Sequence, residues 1–197
     1  TSIKGVVTEK TQELDKLTQN YHRSKSRLES LVNITERYDG YGNSIRKIME
    51  LKDSNPGILG VIADIIKVEK QYETAIETAL GGTIQNIVTD KENTAKELIN
   101  YLKVNKLGRA TFLPLNAIHS RNTLENDNCI NEKGVVGVAS NLVRVSFEYE
   151  GLAKYLLGRI LVVDNIENAL VIARKYKYSL RIVTLEGEYL NVGGSIS

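Results

Sequence analysis

Chemistry is scarce in this chain. His22, His119 and Cys129 are its only histidines and its only cysteine. Three such residues fall short of the four ligands a structural zinc site usually takes. A Cys–His nucleophile pair is formally available, but no local motif positions one. His22 falls beside the seam of a heptad pattern, where a solvated side chain is the simpler reading. His119 has no acid or nucleophile around it in a recognisable pattern. Asp64 and Glu69 could act as paired carboxylates, yet with 24 acidic residues in 197 such neighbours arise by chance. No G-x-x-x-x-G-K-[S/T] loop, G-x-G-x-x-G or G-x-S-x-G occurs, so phosphate cradle, dinucleotide fingerprint and nucleophile elbow are all missing. Gly81-Gly82 could mimic a phosphate loop, but no Lys-Ser or Lys-Thr comes after it, and a helix cap is the better reading. The chain therefore reads as non-enzymatic, with no catalytic residue, metal site or cofactor of its own.

Two basic clusters are the remaining candidates. Arg46 and Lys47, with Arg37 and Lys52, fall at the junction between the first helical segment and the globular remainder. Arg174, Lys175, Lys177 and Arg181 form a run with no acid between Glu167 and Glu186, interleaved with Tyr176 and Tyr178. Such clusters can hold phosphates in a salt-dependent, sequence-independent way. They can equally be a solvated helix face with cations compensating a helix C-terminus. A net charge of +2 and a pI of about 8.5 are low for a dedicated nucleic-acid domain.

The elements that position these residues are dictated by the apolar spacing. Val7, Leu14, Tyr21 and Leu28 recur every seventh residue, with Lys10, Leu17, Ser24 and Leu31 three further on. That a/d stripe predicts a coiled-coil helix; the alternative is one amphipathic helix packed on the domain. Asp39-Gly40-Tyr41-Gly42 ends it. Asn43 or Ser44 can cap a short helix over 45–52, and GILGVIADIIKV after Asn55-Pro56-Gly57 reads as a strand. A helix over 71–80, with Gly81 as its left-handed cap, precedes a strand over 83–89. Asp90 caps a helix over 91–104 with Ala95, Leu98, Ile99 and Leu102 inward, and a strand over 109–113 comes next.

The pattern then repeats. Gly60-Val61 lies over Gly137-Val138, Tyr72 over Tyr149 and Gly81 over Gly158 at an offset of 77; Asp90 lies over Asp164 at 74, and Arg109 over Arg181 at 72. Each copy reads strand, helix, strand, helix, strand. Two pseudo-symmetric α/β subdomains are the expected architecture, although short βα units share enough punctuation to imitate a repeat. The divisions are an arm helix over 1–37, a first subdomain over 38–116, a polar surface connection over 117–133 and a second subdomain over 134–197. The closing strand runs into Gly193-Gly194, which permits a sharp bend or close backbone approach; such a strand, if exposed, can pair edge to edge with another chain, or it simply turns into a next helix. The abrupt end at Ser197 reads as a cut within a longer protein.

Composition sets the outer bounds. Hydrophobic residues make up 42% and charged residues 25%, too apolar for a disordered chain. The longest uncharged stretch, Thr78 to Thr89, is shorter than the roughly 18 residues a membrane helix needs. No signal peptide opens the chain, and a lone cysteine suits a reducing cytoplasm.

The segments YETAIETALGGTIQNIVT (72–89), LKVNKLGRATFLPL (102–115), LLGRILVVDNIENAL (156–170) and RIVTLEGEYLNVGGSIS (181–197) resemble the hinge domain of SMC (structural maintenance of chromosomes) proteins, best in its bacterial chromosome-partition branch. The likeness runs from Tyr38 to Ser197, and the preceding helix fits an incoming arm. The resemblance implies an SMC hinge fold of mixed α/β class, a homodimer joining two antiparallel coiled-coil arms, and sheets that continue across the dimer. It implies an interface that needs Gly187, Gly193 and Gly194. It implies DNA contact near the hinge–coil junction, for which Arg37, Arg46, Lys47, Lys175 and Lys177 are the candidates. ATP and magnesium would belong to distant head domains, together with kleisin and accessory subunits, and the nucleoid would be the place of action. A second glycine pair and the returning arm, both part of the family pattern, are missing after Ser197. The rival expectations are a small α/β enzyme or ligand-binding domain with a helical extension, and a nucleic-acid-binding domain in its own right.

Overall fold

The computed structural model describes residues 2–119 and 122–197. Helix α1 (Ile3–Arg37) runs for 35 residues behind a Ser2 cap whose hydroxyl accepts from the Gly5 N–H at 3.3 Å. None of its residues is buried, and Leu14, Leu17, Tyr21 and Leu28 along the heptad seam are each about 60% exposed. The packed-helix alternative is therefore excluded. Only the last turns touch the domain: Ser30 donates to Asp53 at 2.9 Å, and Ile34 joins the cluster around Tyr38 and Met49.

The first half contains α2 (Asn43–Met49), β1 (Ile58–Val61), α3 (Ile62–Ile65), β2 (Lys67–Val68), α4 (Glu73–Leu80), β3 (Ile87–Thr89), α5 (Glu92–Val104) and β4 (Phe112–Pro114). Several expectations change here. Neither Asn43 nor Ser44 caps α2; Gly42 stands at that position, and Ser44 donates to the Arg109 carbonyl at 2.7 Å. The run 57–68 is not one strand. The Ile62 N–H goes to the Asn86 carbonyl at 3.0 Å, and one helical turn begins there. That turn buries both Ile62 and Ile66, four residues apart, which strand alternation would also allow, but it turns Asp64 toward the arm instead. Gly81 has φ +51° but ψ −133°, so it is not the left-handed helical cap expected; a 3₁₀ turn over 81–85 starts at it, and β3 is shorter than expected. Asp90 does not cap α5: Lys91 holds that position, while Asp90 Oδ1 accepts from the Lys91 N–H at 2.8 Å and the Thr94 hydroxyl at 2.5 Å. Asn116 supplies the acceptor for the Glu92 N–H at 3.0 Å. Ala95, Leu98 and Leu102 point inward, whereas Ile99 is 52% exposed.

The second half contains β5 (Val135–Val138), β6 (Val143–Arg144), α6 (Glu150–Leu157), β7 (Ile160–Val163), α7 (Ile166–Lys175), β8 (Arg181–Thr184) and β9 (Tyr189–Leu190). β5 mirrors β1, and α6 mirrors α4, at the expected offset of 77; α7 starts 74 residues after α5. The third offset is 70 rather than 72, because Ile87 pairs Phe112 where Leu161 pairs Ile182. A slip of two residues preserves the inward face of a strand, so apolar pattern alone could not detect it.

The sheets are β1-β3-β4 and β5-β7-β8-β9, and both lie between packed helices. In β3, Ile87 faces the cluster of α2 and α5 while Val88 faces α4. In β7, Leu161 and Val163 face α7 while Val162 faces α4 and α6. The period-2 alternation thus feeds three apolar clusters, and the middle one joins the halves through Ile76, Leu80, Leu152 and Leu157. β2 pairs β6 antiparallel with Lys67 opposite Arg144, which are equivalent positions of the repeat. A pseudo-dyad therefore passes through this pair. The segment between the halves is not merely a surface connection: Leu124 and Cys129 are 0% and 1% exposed and pack under α7.

Candidate assembly edges and arm junction

Besides the Ser30–Asp53 bond, the end of the arm meets the domain at Asp64. Arg37 closes α1 and reaches Asp64 Oδ1 at 2.8 Å, while the buried Tyr38 hydroxyl donates to Asp64 Oδ2. Tyr41 meets the Tyr38 ring edge-on, with centroids 5.3 Å apart. Burial raises the Tyr38 phenol well above its ordinary value, and the Asp64 carboxylate adds to that rise. Burial likewise raises Tyr41. Asp64 reads in the sequence as a chance neighbour of Glu69, and Asn141 stands at the equivalent position of the other copy. The repeat difference was the available signal: the acid occurs in the half to which α1 attaches.

The cations expected to meet DNA are mostly engaged with carboxylates. Arg37 pairs with Asp64, Lys47 with Glu50 at 3.0 Å, and Lys175 with Glu132 at 2.6 Å. Tyr176 also donates to Glu132, at 2.9 Å. The Lys175 and Tyr176 bonds hold the Glu132 carboxyl below its ordinary range, and Glu132 raises Lys175. Among the described residues Arg46 reaches the Asn43 side-chain oxygen alone, at 3.5 Å, and Lys177 is exposed. The two basic groups are not brought together, since α2 belongs to the first-half cluster and α7 to the second. Glu132 was missed because it lies 43 residues from its partner, on a different element.

The sheet edges differ between the halves. After β9 the chain turns back through Gly193 (φ +88°) and Gly194 (φ +98°), conformations that favour glycine. Ser197 and Tyr189 exchange backbone hydrogen bonds at 2.9 and 3.1 Å, and Asn191 donates to Ser195 at 2.9 Å. The sharp-bend reading of the glycine pair is the one realised. In this hairpin, the backbone groups of Ile196 point away from β9. Gly187 sits instead against α4, where an added Cβ would lie 3.0 Å from Thr74. In the first half nothing corresponds to β9, and among the described residues β4 pairs with β3 alone.

Comparison with known proteins fits this architecture. Residues 55–173 match the family model described as the SMC proteins flexible hinge domain. A chromosome partition protein Smc from Clostridium kluyveri is 38% identical over 99% of this chain, which spans 17% of that protein's length. The crystal structure of an asymmetric dimer of the Geobacillus stearothermophilus SMC hinge domain superposes with a TM-score of 0.78 at 36% identity, over 98% of this chain and 80% of that one. The Pyrococcus furiosus SMC hinge domain gives a TM-score of 0.66 at 34% identity, over 87% of this chain and 88% of that one. The arm helix, the duplicated βα halves and the matched residues agree: this chain belongs to the SMC flexible hinge domain family.

Proposed function

We propose that this chain is the dimerisation hinge of a longer chromosome-partition protein, joining two coiled-coil arms. The observation that carries the reading is the unequal edge: β8 is covered by β9, while among the described residues of a single copy nothing covers its counterpart β4. The outward-facing Ile196 segment of one copy supplies a strand for β4 of the other, extending the sheet across the dimer. Gly193 and Gly194 shape that segment, and Gly187 lets the preceding turn approach α4. Residues 1–37 act as arm, 38–116 and 134–197 as subdomains, and 117–133 as their link. An antiparallel returning arm covers the bare seam of α1. DNA phosphates meet Arg46 and Lys177 first, with Arg37, Lys47 and Lys175 available once their carboxylates are displaced. The role of the hinge is mechanical, in the nucleoid and cytoplasm, while ATP and magnesium serve head domains that also hold kleisin and accessory subunits. No helix among the described residues is long and apolar enough to cross a membrane. The family match does not favour the enzyme or small-molecule alternative.

Cysteine pairing tests the edge. Thr111→Cys and Ser195→Cys chains, mixed and mildly oxidised, should give a disulfide-linked dimer that neither chain gives alone. Cys129, 1% exposed, stays out of the reaction. Absence of the mixed product, with both chains folded, would exclude this pairing.

A further inference from the structure

We propose that the cavity at the start of β7 and β8 is an oxyanion pocket in which Arg159 and Arg181 hold a single phosphoryl group. It does not depend on the dimer reading. The cavity measures about 200 Å³ and is lined by both arginines together with Leu156, Leu180, Ser179 and Val192 among others. Ile160 pairs with Arg181, so the sheet register itself brings Arg159 and Arg181 to one end of the second-half sheet. Arg159 Nη1 donates to the neutral Asn122 carbonyl at 3.2 Å, which orients the guanidinium without neutralising it. Among the described residues, neither arginine takes part in an ion pair, and no carboxylate lines the cavity. Arg37, Lys47, Arg144 and Lys175, by contrast, each have an acid partner.

Both arginines are exposed, a guanidinium fork suits bidentate recognition of phosphate oxygens, and salt screens the contact. A volume below the roughly 300–1,000 Å³ of small-molecule sites limits the ligand to one such group, free or on a nucleic-acid backbone. The loop leading into the cavity is strained: Lys177 (φ +54°) and Tyr178 (φ +55°) are consecutive left-handed residues. The Gly193 N–H donates to the Tyr178 carbonyl at 3.0 Å, tying this loop to the C-terminal hairpin.

The test uses inorganic phosphate against chloride at matched ionic strength, read as thermal unfolding of the whole chain. Phosphate at ten times a dissociation constant near 1 mM should raise the Tm by about 3–6 °C. The rise should vanish in Arg181→Gln and Arg159→Gln and persist in Lys16→Gln, with circular dichroism checking the fold of each. A titration monitored through the arginine Nε–H resonances of the wild type gives the same answer without any substitution. A short DNA duplex separates the sources. If the salt-dependence slope falls by about one in Arg181→Gln, a backbone phosphate occupies the pocket; if it is unchanged, the ligand is a free oxyanion. A wild-type Tm and arginine resonances no different in phosphate and chloride, or a rise that persists in both arginine variants, would overturn the proposal.

Discussion

Asp64 shows how much one carboxylate can decide. It is the acceptor for both Tyr38 and Arg37, and the two partners are unequal. The Tyr38 phenol is buried, and removing its acceptor leaves a desolvated donor. The Arg37 side chain is 59% exposed, where solvent screens the pair. Asp64→Ala should therefore cost about 1–3 kcal/mol in urea unfolding, Tyr38→Phe about 1, and Arg37→Gln under 1. A second prediction concerns backbone strain. Lys106 (φ +53°) and Lys177 (φ +54°) end α5 and α7 in the left-handed region, so glycine at either position should stabilise by up to about 1 kcal/mol, measured as a higher urea midpoint. At this scale, sequence reading identified the cations but not their acids, because charge partners are set by packing between elements distant in sequence.

Among the elements, the most legible were those whose period is unambiguous. The seven-residue repeat of α1 predicts its helix and its bare seam, and residues 3–29 should exchange amide hydrogens far faster than β7, which is buried throughout. The segment 57–68 was less legible: a run rich in Ile and Val satisfies a strand, yet its turn at Ile62 is set by the Asn86 carbonyl, a tertiary partner. The linking segment was misread for a related reason, since two buried side chains, Leu124 and Cys129, suffice to anchor a polar stretch. Beside that apolar packing, the Glu132–Lys175 ion pair ties the segment to α7 and should titrate. Glu132 has a lowered pKa, so its contribution is present above the ordinary value of 4.5 and is lost as pH falls through the lower folded value. Lys175 has a raised pKa, so its contribution is present below 10.5 and is lost as pH rises through the higher folded value. The stability difference between wild type and Glu132→Gln should be flat near neutral pH and shrink in acid below 4.5, measured by thermal unfolding across pH.

For the whole molecule, the duplication was legible because glycine and aspartate punctuate both copies at nearly constant offsets. The break in that symmetry was not, since a missing ninth-strand equivalent is an absence that only strand pairing reveals. The halves share one apolar cluster, so large-to-small changes there should unfold both together. Leu157→Ala, at a side chain with 0% exposure, should cost about 2–5 kcal/mol in a single cooperative transition. Separate transitions for the two halves would refute the shared core. The central claim, that this chain pairs with itself through its C-terminal edge, is tested most directly by sedimentation equilibrium of wild type and of Gly193→Asp/Gly194→Asp. Both glycines lie outside the apolar clusters but hold positive φ, so the variant should keep its core while the hairpin that carries the edge is strained, which circular dichroism checks. The wild type should be dimeric and the variant monomeric. A wild type that stays monomeric at high micromolar concentration, or a dimer indifferent to the substitutions, would contradict that claim.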